Sequence, residues 1–351
     1  MLRDLQLRNF RCFESIGAEF SPGFNFIVGP NGQGKTTLLE AACVLLRLQS
    51  QRASSLVPAV RIGQRSFVVS GHTEGHLLQF YYSALRRKLA FDGIEQRDQA
   101  EYLQLVRVVS FANHDLELIR GPGELRRRYL DFIGSQVEAR YRPTLRAYER
   151  ALRSRNALLK SPQTRAREVA AYTEPLVRAG SLLREMRAAL VSRLAPFAAA
   201  SQRAISGQQE ALLLEYAPGC EEDFAAQLAR TRAEEERLRL TTVGPHRDDL
   251  RLLVQAMPAA QFASEGQQRT IALALKLAQA QVLAENAPHP PLLLIDDIFG
   301  ELDAERRNAL LAHLPSDSQK LVTATTLDWR TGSWGGPVLE LANRQIQRRD
   351  R

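Results

Sequence analysis

One string constrains this chain more than any other: Gly29-Pro30-Asn31-Gly32-Gln33-Gly34-Lys35-Thr36-Thr37. It fits the pattern G-x-x-x-x-G-K-[ST], and its surroundings are those the pattern requires. Before it, Phe24-Asn25-Phe26-Ile27-Val28 is aromatic and β-branched, which predicts a strand. After it, Leu38, Leu39, Ala42, Leu45 and Leu46 recur at helical spacing. Glycines in the intervening loop let several backbone N–H groups point inward at phosphate oxygens. The helix N-terminus adds its positive end. The predicted contacts to a nucleoside triphosphate are Gly29, Asn31, Gly32, Gly34, Lys35, Thr36 and Thr37. Lys35 would lie on the β- and γ-phosphates, and the Thr36 hydroxyl on magnesium.

A magnesium ion held this way needs a carboxylate at the end of a neighbouring strand. Leu292-Leu293-Leu294-Ile295-Asp296-Asp297 supplies one, as four apolar residues followed by two acids. Asp296 is predicted to reach the metal and Asp297 to orient or activate the attacking water, so Asp297 and Lys35 are the candidate catalytic pair. Gly300-Glu301-Leu302-Asp303 follows closely. Upstream, Ser264-Glu265-Gly266-Gln267-Gln268 opens a helix: Ser264 can cap it and Gly266 admits a ligand closely. Such a helix end suits an anion. Within one chain, however, the glycine loop already cradles the phosphates.

Between these motifs the text changes character. From about residue 57 to 111 it is β-like, as in Ser66-Phe67-Val68-Val69-Ser70 and Val106-Arg107-Val108-Val109. Past Gly121-Pro122-Gly123, the residues Tyr129, Ile133, Val137, Tyr141, Leu145, Tyr148 and Leu152 step by three or four, an amphipathic helical stripe. Pro143 interrupts it and predicts a kink or two helices. Helical text continues to about residue 240, and β-like text returns after Thr242. The predicted organisation is an α/β domain over 1–120 and 241–351, split by a helical arm over 121–240.

The chain has 351 residues, a net charge of +8, 44% hydrophobic and 25% charged residues. That excludes a largely disordered chain, a collagen-like chain and a small disulfide scaffold. The charge by itself does not establish a nucleic-acid partner. Cys12, Cys43 and Cys220 have no metal-ligand spacing and read as reduced thiols. No stretch approaches the roughly 18 apolar residues of a membrane span, and the charged opening Met1–Gln6 lacks a secretory core. The expected location is the cytoplasm.

The motif set, in this order, resembles the ABC-type ATPases: a Walker A loop at Gly29–Thr36, a signature at Ser264–Gln267, a Walker B strand at Leu292–Asp297 and a D-loop at Gly300–Asp303. In that superfamily two heads close face to face on two ATP molecules, and the signature helix of one caps the γ-phosphate held by the other. Within it, the chain looks like the RecF family of recombination mediators over nearly its whole length. The strings that carry this are Leu7-Arg8-Asn9-Phe10-Arg11, Asp115 to Pro122, Arg126 to Asp131, Tyr148 with Arg153 to Leu159, Gly244 to Asp249 and Ile295 to Asp303.

The resemblance implies an α/β P-loop head of mixed sheets and flanking helices with an inserted helical lobe. It implies ATP and Mg2+ as cofactors, with Arg11, Ser264, Gly266, Gln267 and Asp303 joining the nucleotide contacts and Thr36 and Asp296 holding the metal. It further implies weak DNA-dependent hydrolysis and an ATP-dependent homodimer on double-stranded DNA and single-strand/double-strand junctions. Recombinational repair, replication and the SOS response are the setting, with RecR and RecO proteins as partners and a nucleoid-associated location. Arg126, Arg127 and Arg128 are candidate phosphate contacts, and Arg153 and Arg155 two more. Val322-Thr323-Ala324-Thr325 lacks the switch histidine of transporters, and no Q-loop glutamine is evident. A transporter subunit and an SMC-like structural head are the competing readings; a P-loop kinase leaves Ser264–Gln267 unexplained.

Overall fold

A computed structural model of the chain describes residues 1–53, 55–96, 99–161, 166–207, 210–221, 223–285, 287–329 and 335–349. The chain divides into two compact units, Met1–Asp115 with Leu283–Arg351, and Leu116–Val282.

The first unit begins with strands β1 (Asp4–Phe10), β2 (Phe13–Glu19) and β3 (Phe24–Val28), then helix α1 (Lys35–Arg47). Strands β4 (Ser66–Thr73), β5 (His76–Ser83), β6 (Arg87–Phe91) and β7 (Ile94–Glu95), short helix α2 (Ala100–Gln104) and β8 (Val108–Ala112) follow. After the second unit, which holds β9 to β11 and α3 to α10, come β12 (Leu292–Asp296), α11 (Ala304–His313), β13 (Lys320–Ala324), β14 (Val338–Ala342) and β15 (Gln345–Arg349). They build two six-stranded sheets. One is antiparallel in the order β2-β1-β4-β5-β6-β7. The other runs β15-β14-β3-β13-β12-β8, all parallel except β15.

Helix α1 touches strands of both sheets, and Leu38 to Leu46 are buried without interruption. A helix apolar on every side is stable only inside such a sandwich. Two charges go inside with it. Arg47 donates to the Leu103 carbonyl at 2.6 Å, and Glu40 takes a two-pronged bond from Arg11. In the parallel sheet β13 separates β3 from β12, so the carboxyl ends of all three strands lie side by side, with Asp296 opposite Thr323 and Ala324 opposite Val28. The P-loop leaves one of these ends and the two acids leave another.

The second unit contains α3 (Glu117–Arg120), α4 (Gly123–Val137), α5 (Tyr141–Lys160) and α6 (Ala166–Ser206, 41 residues), then β9 (Leu212–Ala217), α7 (Phe224–Arg230) and α8 (Arg232–Leu238). Strands β10 (Asp249–Val254) and β11 (Met257–Pro258), α9 (Ala259–Phe262) and α10 (Glu265–Ala284) complete it. The predicted stripe forms two helices: α4 stops at Val137, and Pro143 falls in the first turn of α5, where no backbone donor is required. The sequence reading returns to the α/β domain at residue 241. The compact second unit instead runs to Val282, because β10 pairs along its whole length with β9 and so belongs to the arm's own small sheet.

Buried polar contacts explain the strings around Asp131, Tyr148, Arg155 and Asp248. Arg187, on α6, bonds Asp131 and Asp248 at 2.8 Å each, and the Tyr141 and Tyr216 hydroxyls donate to the same two carboxylates. Arg155 meets Glu235 at 2.6 Å with both side chains almost wholly inside. Tyr148 donates to His246 Nδ1, and His246 Nε2 donates to the Thr241 carbonyl. These contacts tie α4, α5 and α6 to the residues leading into β10.

Candidate active site

The P-loop is shaped by steric exclusion as much as by flexibility. Gly34 has φ +107°, and a Cβ there would lie 2.4 Å from the Phe13 ring. At Gly29 a Cβ would lie 2.1 Å from the Leu341 carbonyl oxygen. Lys35 is 6% exposed and folds back into the loop, donating to the carbonyls of Gly29 at 2.6 Å and Pro30 at 3.1 Å. Asn31 Oδ1 stands 3.4 Å from the same ammonium. Burial lowers the Lys35 pKa from the ordinary lysine range, and the charges of Asp297 and Asp296 oppose that shift.

Thr36 donates to Asp296 Oδ1 at 2.8 Å, bringing together the two predicted metal ligands from positions far apart in the chain. Thr323, fully buried on β13, donates to the same oxygen at 2.7 Å. Its hydroxyl also accepts from the Asp297 N–H at 3.0 Å. One hydroxyl on the middle strand therefore holds both acids. Asp297 has φ +51°, a left-handed conformation uncommon outside glycine, and it re-aims the carboxylate past the end of β12. Burial raises the Asp297 pKa; Asp296 and Glu301 add to the shift, while Lys35 and the Thr325 N–H oppose it.

These groups face a cavity of about 790 Å3. Asn31, Gly32, Gly34 to Thr37, Arg11 and Asp297 line it, together with three arginines to which the sequence reading gave no role: Arg52, Arg61 and Arg344. The Arg11 guanidinium is fixed on Glu40 at 2.7 and 3.0 Å, and Ser50 donates to the same carboxylate. A strongly cationic cleft with a glycine-loop floor fits a polyphosphate. No group of three His, Cys, Asp or Glu side chains that could hold a metal occurs among the described residues. The oxygen pair Thr36–Asp296 suits Mg2+, which binds through one or two protein oxygens together with substrate phosphates.

In the second unit, Ser264 and Gln267 cap one another. The Ser264 N–H donates to Gln267 Oε1 at 2.7 Å, and the Gln267 N–H donates to Ser264 Oγ at 3.3 Å. This reciprocal box opens α10, with Gly266 in its first turn. Gln267 Nε2 also reaches Glu210 at 2.9 Å. Asp303, in the first unit, caps α11 by accepting from the Arg306 N–H at 2.8 Å.

Of the three arginines predicted to face phosphate, two turn inward. Arg126 is clamped on Asp249 at 2.7 and 2.8 Å and on the carbonyls of Leu118 and Gly121. Arg127 donates to the Asp248 carbonyl. Arg128 is exposed beside Glu124, one turn away. Arg155 is buried, whereas Arg153 is exposed.

The parallel sheet with its P-loop, the acids one strand removed and the self-capped signature helix define an ABC-type P-loop ATPase head. The model of the RecF/RecN/SMC N-terminal domain matches residues 1–329. The DNA replication and repair protein RecF of Symbiobacterium thermophilum is 40% identical over 344 residues, covering 93% of this chain and 92% of that one. Its counterpart in Synechococcus sp. (strain JA-2-3B'a(2-13)) is 37% identical over 368 residues, covering 98% and 97%. The solved structure of the recombination mediator protein RecF-ATP in the RecFOR pathway superposes with a TM-score of 0.89 at 26% identity, covering 99% of this chain and 97% of the other. An Smc head domain from Pyrococcus furiosus shares the fold at a TM-score of 0.56 and 15% identity. The chain belongs to the RecF family of DNA replication and repair proteins.

Proposed function

We propose that the chain is an ATP-gated DNA-binding switch of recombinational repair, in which ATP closes a homodimer on double-stranded DNA and slow hydrolysis releases it. The observation that carries this reading is the pairing of a complete P-loop site in one unit with a second anion-suited helix end, Ser264–Gln267, in the other. Ser264 Oγ accepts within its box and keeps its proton to donate. A γ-phosphate held by a second copy would meet both that proton and the helix N-terminus.

Within one site, the loop amides and Lys35 would bind the phosphates, and Arg11 would lie along the nucleotide. Thr36 and Asp296 would hold Mg2+, which neutralises phosphate charge when bound. Asp297 would orient the attacking water and take its proton, with Thr323 fixing its backbone. The shorter aspartate at this position and a clamp's need for a long-lived closed state both favour slow, DNA-stimulated turnover. The relatives' role in a RecFOR pathway supports RecR and RecO proteins as partners and gapped duplexes with single-strand/double-strand junctions as sites. Among the described residues no helix is long and apolar enough to cross a membrane, which accords with a cytoplasmic, nucleoid-associated role.

Sedimentation velocity tests the gate. ATP should convert monomer to dimer in the parent. Ser264→Arg should still bind ATP but remain monomeric, since its bulk and charge occupy the place of the partner's phosphate. An ATP-induced dimer of that variant would refute the reading.

A further inference from the structure

With Arg126, Arg127 and Arg155 committed to internal bonds, the cationic surface of the second unit lies elsewhere. On α5, Arg142, Arg146, Arg150, Arg153 and Lys160 are spaced by four, four, three and seven residues. At 3.6 residues per turn these five fall within a sector of about 80°. The buried positions Tyr141, Tyr148, Ala151 and Arg155 occupy the opposite side. Arg146, Arg150, Arg153 and Lys160 are exposed and Arg142 is half-exposed. The ridge spans about 27 Å at 1.5 Å per residue.

We infer that this face of α5 is a track for the phosphate backbone of duplex DNA. A row of cations about 27 Å long runs beside roughly eight base pairs at 3.4 Å each. The only acid in α5 is Glu149, which lies 3.9 Å from Arg153 and leaves the face strongly positive. On the neighbouring helix α6, Glu174 and Arg178 pair with each other at 3.8 Å. An acidic protein partner fits less well. Protein interfaces are anchored by buried aromatic or aliphatic side chains, and none of the exposed large hydrophobic residues among those described lies on α5. A phosphate ladder needs only evenly spaced charges. The contact is sequence-independent.

The inference rests on the DNA-binding reading above and is separable from it. The probe is a fluorescein-labelled duplex of about 30 base pairs, three helical turns, titrated with the full chain and ATP across a salt series. Arg146→Gln, Arg150→Gln and Arg153→Gln are combined in one variant. Arg178→Gln, Arg232→Gln and Arg237→Gln form a control with the same change in net charge. Three lost phosphate contacts should flatten the slope of log K against log salt by about 2.7, and lines meeting at 1 M salt then give a roughly 500-fold weaker complex at about 0.1 M. The control should keep the parent's slope. Parent-like affinity and slope in the α5 variant would overturn this inference alone. A parent that binds no duplex at low salt would overturn the DNA-binding reading and this inference with it. Circular dichroism and ATP affinity, unchanged in both variants, show that the comparison is between folded proteins.

Discussion

Replacing Thr323 by Val tests how the two acids are held. The substitution keeps the branched shape but removes one hydroxyl that makes two bonds, to Asp296 Oδ1 at 2.7 Å and from the Asp297 N–H at 3.0 Å. A buried N–H left without a partner costs about 1–3 kcal/mol. Asp296 keeps its bond from Thr36, so ATP and metal binding should change less than threefold, under about 0.7 kcal/mol. Asp297 is different. Its left-handed backbone costs about 1–2 kcal/mol and persists only while its surroundings hold it. With the N–H released, the carboxylate can relax away from the attack geometry, and a loss of about 2 kcal/mol there lowers the rate roughly 30-fold. Single-turnover hydrolysis with saturating ATP reads the chemical step, and equilibrium nucleotide titration reads binding. Thr323→Ser restores the hydroxyl and should recover most of the rate. A Val variant that turns over within twofold of the parent, or a Ser variant as slow as Val, would refute the role given to this hydroxyl.

Two further outcomes follow from the arm. Arg187→Met leaves Asp131 and Asp248 facing each other inside the second unit, so urea unfolding should show a loss of about 3–5 kcal/mol. Burial depresses His246 to about pH 4 from its ordinary 6.5, so between those values the unfolded chain takes up a proton that the native state refuses. Its contribution is present above pH 6.5 and lost as pH falls toward 4, about 3 kcal/mol in all. His246→Asn should flatten that part of the stability–pH profile, measured by denaturant melts at pH 7 and pH 5.

What could be read from the sequence was what neighbouring residues make together. The P-loop is a run of consecutive backbone groups, so its string and its flanking periodicities disclose it. The same holds for the acids closing an apolar strand and for the capping pair Ser264 and Gln267, three residues apart. The break between α4 and α5 is likewise local, because proline is tolerated only near a helix start.

The rest depended on residues remote in sequence. Thr323 is an unremarked hydroxyl in a buried strand until the order β3-β13-β12 sets it between the loop and the acids. Arg61 and Arg344 reach the cleft from distant loops, with no local pattern to flag them. Three adjacent arginines at 126 to 128 look alike in the text, but successive side chains on a helix point about 100° apart, so two met carbonyls and carboxylates inside while one met water. The text alone also places residues 241–282 with the ATPase domain, whereas pairing of β10 with β9 gives them to the arm. Sequence by itself determined the chemistry of binding phosphate, because that chemistry resides in contiguous backbone. Tertiary structure decided which charges face solvent, which acids are held and where one unit ends, because burial and strand order are set by partners hundreds of residues away.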